Sequence, residues 1–129
     1  MPRKSSETPT DVELAILRVL WNRGASTVRD IHLALEEKEG RDTGISTTLK
    51  MVQVMMEKGL LLRDDAVRPQ VYRPAMPQEE TQLKLLDYLI QKGFGGSAKR
   101  LVLSAVSAKR LSKDELVEIR KLLEKGNKS

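Results

Sequence analysis

The stretch TGISTTLKMVQVMMEKG, residues 43–59, carries the clearest fold signal in the chain. Its apolar residues recur at three- and four-residue spacings, which gathers them onto one face of a helix. We predict that this face is buried in a core, and it comprises Ile45, Leu49, Met51, Val52, Met55 and Met56. Gly59 predicts the end of the helix, because glycine adopts the left-handed C-cap conformation without strain.

The opposite face of this predicted helix carries small or hydrogen-bonding side chains at positions i, i+1, i+4 and i+7. They are Ser46, Thr47, Lys50 and Gln53. No carboxylate precedes Glu57, so this face would not repel DNA phosphates. The pattern suits a recognition helix in the major groove, although the solvated face of an ordinary amphipathic helix has the same polarity. The neighbouring elements therefore decide whether this face is predicted to bind DNA or only to face solvent.

Two helices are predicted before this one. Thr10 and Glu13 form the Thr-x-x-Glu pattern of a capping box and open a helix that Gly24 ends. Thr27 caps a second, short helix. Arg29 lies in its first turn, where free backbone N–H groups also favour a phosphate. Three helices with short connections are typical of a helix-turn-helix domain.

A β-hairpin is predicted next, with strands at residues 60–63 and 70–73 joined by a polar loop. Arg63 and Arg73 in the strands and Arg68 at the tip supply cations where a wing would meet the DNA backbone. Two aspartates that follow the first strand dilute this charge. The order of elements predicts a winged helix-turn-helix domain.

The second half is predicted to hold three more helices, which gives a mainly α fold with one small β-hairpin. Ser97 caps a helix to about Arg110, and Ser112 with Glu115 forms a capping box that opens the last helix. The apolar stripes include Leu86, Leu89, Leu101, Leu116 and Leu123. About 50 residues cannot bury these stripes efficiently alone, so we predict that a second copy covers them in a homodimer.

The predicted domains are therefore residues 1–75, a winged-helix DNA-binding domain with a short N-terminal tail, and residues 76–129, a three-helix dimerisation domain. The chain has 129 residues and a net charge of +5. The first domain holds 12 Lys and Arg against 11 Asp and Glu, and the second holds 11 against 7. The small positive charge of the first domain predicts modest DNA affinity and reliance on two half-sites.

Composition excludes several classes of protein. There is no cysteine and only one histidine, so thiolate metal sites and disulfides are ruled out and no metal or other cofactor is predicted. No run of about 18 apolar residues and no signal peptide is present, which predicts a cytoplasmic protein without a membrane span. No catalytic arrangement or phosphate-binding loop is recognisable, so we predict no enzyme.

Four segments and a short glycine motif together resemble the penicillinase-repressor family of bacterial transcription regulators, the BlaI/MecI type. They are PTDVELAILRVLW at 9–21, STVRDIH at 26–32, TGISTTLKMVQVMMEKGLL at 43–61, VYRPAMPQEE at 71–80 and FGGS at 94–97. The resemblance implies a homodimeric repressor that binds double-stranded DNA at a dyad operator. Val54 stands where better-known members often carry a basic residue, which leaves the operator sequence open.

The resemblance also implies release from DNA by a regulatory protease that cuts the dimerisation domain within residues 101–106. The pair at the cut is Ser104-Ala105, where better-known members carry Asn-Phe, so a protease that selects a large aromatic side chain would lose its pocket contact. The copper-responsive branch needs cysteines, which this chain lacks. The inducing signal stays open.

The alternative function is a winged-helix protein-interaction module without DNA affinity, whose partner binding would lack the salt dependence of phosphate contacts.

Overall fold

A computed structural model describes residues 8–40 and 43–126, so most of the predicted N-terminal tail lies outside the described residues. Six helices and one hairpin follow each other along the chain. They are α1 (Asp11–Arg23), α2 (Val28–Glu39), α3 (Ile45–Glu57), β1 (Leu61–Asp64), β2 (Val71–Pro74), α4 (Gln78–Gly93), α5 (Ala98–Ser107) and α6 (Lys113–Gly126). This order confirms the predicted mainly α fold with a small hairpin, and it is the order of a winged helix followed by a helical segment.

The first three helices and the hairpin share one hydrophobic core. It contains Ala15, Ile16, Leu17, Val19, Leu20, Ile31, Ala34, Leu35, Val52, Met55, Leu61 and Tyr72. Trp21 packs against this core and is only partly buried.

The predicted caps set the helix ends of this unit. The Thr10 hydroxyl accepts the Glu13 N–H at 3.2 Å, and the Glu13 carboxylate accepts the Thr10 N–H at 2.9 Å. Gly24 ends α1 with φ of 87°, a conformation that favours glycine. The Thr27 hydroxyl accepts the Asp30 N–H at 3.1 Å and opens α2. These caps confirm the sequence-based helix starts.

Each strand of the hairpin begins and ends one residue later than predicted. Leu61 pairs with Pro74 and Asp64 with Val71 in an antiparallel register. Leu60 is excluded from the first strand because its N–H donates to the Met55 carbonyl at 2.8 Å, a bond that still belongs to the end of α3. The exposed fraction of Tyr72 is 4%, so β2 attaches the hairpin to the core.

The prediction that α5 reaches about Arg110 is wrong, because the helix ends at Ser107. The Lys109 and Arg110 N–H groups donate to the carbonyls of Val106 and Ala105, both at 3.0 Å, which closes the helix as a Schellman motif. Lys109 has φ of 57°, a left-handed conformation usually taken by glycine. The sequence did not predict this helix C-terminus, because no glycine occupies the left-handed position.

The chain divides into two compact units between Leu85 and Leu86, a point inside α4. The predicted domain boundary at residues 75 and 76 stays a prediction. In the second unit, α5 and α6 contain no buried residue.

Among the described residues, no helix combines the length and the apolar character needed to cross a membrane.

Candidate nucleic-acid interface

Helix α3 packs one side against α2 and β1. Thr48, Val52 and Met55 are buried on this side, at spacings of four and three residues. The helix begins after Gly44 without a side-chain cap, and its first turn contains no acidic residue. Its N-terminal turn therefore adds no negative charge that would oppose a phosphate.

The polar residues predicted to face DNA are all exposed on α3. They are Ser46, Thr47, Lys50 and Gln53. Ser46, Lys50 and Gln53 share one side of the helix because they are separated by four and three residues, and Thr47 lies toward the edge of that side. Within residues 8–40 and 43–126, no carboxylate forms an ion pair with Lys50, so its charge is available to a partner.

The prediction that Ile45 and Leu49 are buried is wrong. Their exposed fractions are 48% and 40%. A helix turns through about 100° per residue, so the seven apolar residues among the thirteen positions of α3 cover more of the circumference than one contact can bury. Thr48 takes the buried position instead, and its exposed fraction is 3%. The side of α3 that faces solvent is therefore more apolar than predicted.

Thr48 has a partner on α2 that the sequence did not reveal. Nδ1 of His32 lies 2.9 Å from the Thr48 hydroxyl oxygen, and Nε2 lies 3.2 Å from Oε1 of Glu36. A neutral ring that donates its Nε2–H to Glu36 accepts the Thr48 hydroxyl at Nδ1. This hydrogen bond connects α2 to α3 on the buried side of the recognition-helix candidate.

The C-terminal end of α3 is connected to the start of α1. Lys58 donates to Oε2 of Glu13 at 2.7 Å, and Oε1 of the same carboxylate belongs to the capping box with Thr10. The Glu13 side chain is fully buried. One carboxylate thus holds the N-terminus of α1 and the C-terminus of α3 together, so α3 is fixed at its end as well as along its side.

A groove of about 340 Å³ lies beside α3, between the start of α2 and the hairpin. Arg29, Leu49 and Gln70 are among the residues that line it. Arg29 is exposed and Arg68 lies in the adjoining hairpin loop, also exposed. The fold therefore brings α3, the first turn of α2 and the hairpin loop to one groove.

The remaining hairpin cations differ from the prediction in their surroundings. Arg63 is exposed and pairs with Asp65; the hydrogen bond from its guanidinium to that carboxylate, followed by the Asp65 charge, raises the pKa of Arg63 above its ordinary value. This pairing neutralises part of the charge that Arg63 could offer to a phosphate. Arg73 is exposed on β2, but it lines a different groove, beside α1 and the start of α4.

The five predicted dimerisation residues lie on the helices of the second half and are not covered in the single chain. Leu86, Leu89, Leu116 and Leu123 are exposed, and Leu101 is half-buried. Other large apolar residues of the same helices are exposed too, including Leu122 at 71%.

Among the described residues, no group of His, Asp and Glu side chains is arranged to hold a metal ion.

The sequence comparisons agree with this arrangement. The family model described as penicillinase repressor matches residues 9–125, which is nearly the whole chain. A search of the curated proteins finds no match. The match covers both the winged helix and the helices after it, and the predicted resemblance is confirmed. The chain belongs to the penicillinase repressor family, whose name denotes DNA-binding regulators of transcription.

Proposed function

We propose that this protein is a homodimeric transcriptional repressor that binds a dyad operator in double-stranded DNA, with α3 as the helix that reads the major groove. The observation that carries the proposal is the exposed side of α3, where Ser46, Lys50 and Gln53 stand together without a carboxylate among them. Arg29, which lines the groove beside α3, and Arg68, in the adjoining hairpin loop, supply the phosphate contacts.

The homodimer is supported by the apolar surface of the second unit. The end of α4, α5 and α6 expose leucines to water in the single chain, and a large amount of exposed apolar surface marks an interface in soluble proteins. A two-fold interface would place two copies of α3 on half-sites separated by about one or more turns of the duplex. Two weakly charged DNA-binding units would then act together on one operator.

Lys50→Ala and Gln53→Ala are each expected to weaken operator binding by roughly 1 to 3 kcal/mol. Fluorescence anisotropy on a duplex selected from DNA upstream of the protein's own gene measures this loss. The salt dependence separates the two roles, because loss of a phosphate contact by Lys50 lowers the slope of log affinity against log salt by about one. Loss of a base contact by Gln53 leaves the slope unchanged.

Lys38→Ala is the matched control, because this exposed lysine lies in the last turn of α2 and its loss changes the net charge equally. It is expected to leave the affinity within about twofold. If Lys50→Ala and Gln53→Ala both fold and bind as tightly as the unchanged protein, α3 does not read DNA. Binding of a protein partner without salt dependence would then favour the interaction module.

Leu49 gives a second test of the same face. Its exposed side chain suits an apolar contact with a thymine methyl group, which lies in the major groove. Leu49→Ala is expected to weaken binding about fivefold, and replacing one thymine per half-site with uracil should make that variant and the unchanged protein equal. Leu33→Ala, also at an exposed position, is the control. Equal losses on thymine and uracil duplexes would exclude the contact.

Release by a regulatory protease would require cleavage within residues 101–106, which lie in α5. The bond between Ser104 and Ala105 lies inside α5, so cleavage there requires local opening of that helix. Neither residue offers a large side chain to a protease pocket. The protease therefore rests on the family resemblance, and we assign no inducing signal.

A further inference from the structure

The two halves of α3 differ in how firmly the core contacts them. Val52 and Met55 are fully buried in the C-terminal half. Of the described residues 45–51, which form the first two turns, only Thr48 is buried. No side chain caps the start of the helix. The position of the first two turns therefore depends on few contacts.

A hollow of about 110 Å³ lies behind these two turns, between α3 and the helices α1 and α2. Its lining includes Ile16 of α1, Leu35 of α2 and, on α3, Thr47, Thr48 and Met51. Closely packed helices leave little space of this size between them, because unfilled space forfeits dispersion contacts. The first two turns of α3 therefore have room to shift toward α1 and α2.

A hydrogen bond attaches this half of α3 to α2. Nδ1 of His32 lies 2.9 Å from the Thr48 hydroxyl oxygen, and only 12% of the His32 side chain is exposed. Among the described residues, the Thr48 hydroxyl has no other hydrogen-bond partner. Glu36 contacts the other ring nitrogen, Nε2, and does not reach α3. A hydrogen bond is directional, so this one limits the rotation of α3 as well as its distance from α2.

We propose that His32 is a positioning residue for DNA recognition, which acts through Thr48 to set the orientation of the first two turns of α3. This role rests on the proposed function, in which α3 reads the major groove. The N-terminal residues of a recognition helix contact base edges, and Ser46, Thr47 and Lys50 lie in this half. Without the bond, these turns shift into the hollow and the base contacts lose their geometry. Contacts to phosphates carry no sequence information, so the loss falls on operator preference.

Two substitutions of His32 separate the roles of its ring nitrogens. The amide oxygen of Asn takes roughly the place of Nδ1 and accepts from Thr48, whereas the longer Gln side chain places its amide near the site of Nε2. Fluorescence anisotropy of the full-length protein compares the operator duplex with a scrambled duplex of equal length. His32→Gln is expected to lower the ratio of the two affinities about tenfold, the effect of one lost base contact. His32→Asn is expected to preserve the ratio.

Thr48→Val removes the same bond from the side of α3 and keeps the shape of the side chain. It should lower the ratio as much as His32→Gln does, and the double variant should lower it no further, because both changes break one interaction. Glu36→Gln is the control, because its amide oxygen still accepts the Nε2–H and the bond to Thr48 is untouched. The control should leave the ratio unchanged.

The ratio distinguishes positioning from stability, because a smaller folded fraction weakens binding to both duplexes equally. Trp21 fluorescence confirms that each variant is folded. An unchanged ratio in folded His32→Gln or Thr48→Val, while Lys50→Ala still weakens binding, would overturn this role and leave the proposed function intact. An equal loss in His32→Asn or Glu36→Gln would overturn it too. An unsubstituted protein that does not prefer the operator would overturn both this role and the proposed function.

Discussion

Replacing Lys58 with methionine is expected to lower the free energy of unfolding of the first unit by about 3 kcal/mol. Lys58 is a cation that contacts the fully buried Glu13 carboxylate, at 2.7 Å. Methionine keeps most of the aliphatic stem, so packing is retained while the charge is lost. Removing one partner of a buried pair costs far more than breaking an exposed pair, because the remaining charge stays desolvated.

Urea unfolding followed by Trp21 fluorescence measures this loss, since the only tryptophan lies in α1. Lys38→Met is the control: the same substitution at an exposed position of α2 should change the stability by less than about 0.5 kcal/mol. Glu13→Gln should cost less in the Lys58→Met background than alone, because the two residues act as a pair. Equal losses for Lys58→Met and Lys38→Met would show that the pair contributes nothing.

The sequence predicted those features that depend on residues three or four positions apart. The Thr10 and Glu13 capping box is present, and so is the box of Ser112 and Glu115, with distances of 3.1 and 2.8 Å. A cap is a contact within one helical turn, so its spacing is visible in the chain itself. The end of α5 was missed, because Lys109 takes a left-handed conformation that its residue type does not indicate.

Contacts between distant residues could not be predicted in this way. Glu13 and Lys58 are 45 residues apart, and the sequence assigned Glu13 only a local role as a cap residue. The bond between His32 and Thr48 joins two helices. Such pairs depend on how helices pack, and packing is not fixed by the period of one helix.

The candidate site was predicted in its polar part and not in its apolar part. A polar residue on the wet side of a helix needs no partner, so Lys50 and Gln53 follow directly from periodicity. An apolar residue is buried only where another element covers it. The core contacts of α3 bury Val52 and Met55 and leave Leu49 in solvent, and Arg73 faces a groove that no spacing rule could indicate.

In the second unit, too, apolar residues recur at helical spacing, but no other element of the single chain buries those of α5 and α6. Helices α5 and α6 contain no buried residue, although Leu116, Ile119 and Leu123 recur at helical spacing on α6. Burial of apolar surface contributes roughly 25 cal/mol per Å², so a second copy that covers these leucines gains substantial free energy. A charge placed among them opposes that association and costs the single chain little.

Leu123→Glu is therefore expected to convert the proposed dimer into a monomer. In the single chain Leu123 is 65% exposed, so the substitution leaves the fold of one copy almost unchanged. In a two-fold interface, two carboxylates would be desolvated close to each other. Sedimentation should give the 14.5 kDa of one chain in place of twice that mass. Leu33→Glu, at 50% exposure on α2, is the control and should leave the mass unchanged.

The effect on DNA should be larger than the effect of any single contact on α3. A monomer occupies one half-site, so the affinity of Leu123→Glu for the full operator is expected to fall about 100-fold or more, the usual gain from linking two binding units. Its affinity for an isolated half-site should be unchanged, because α3 is intact. A variant that stays dimeric, or a monomer that binds the full operator as tightly as the unchanged protein, would contradict cooperation between two half-sites.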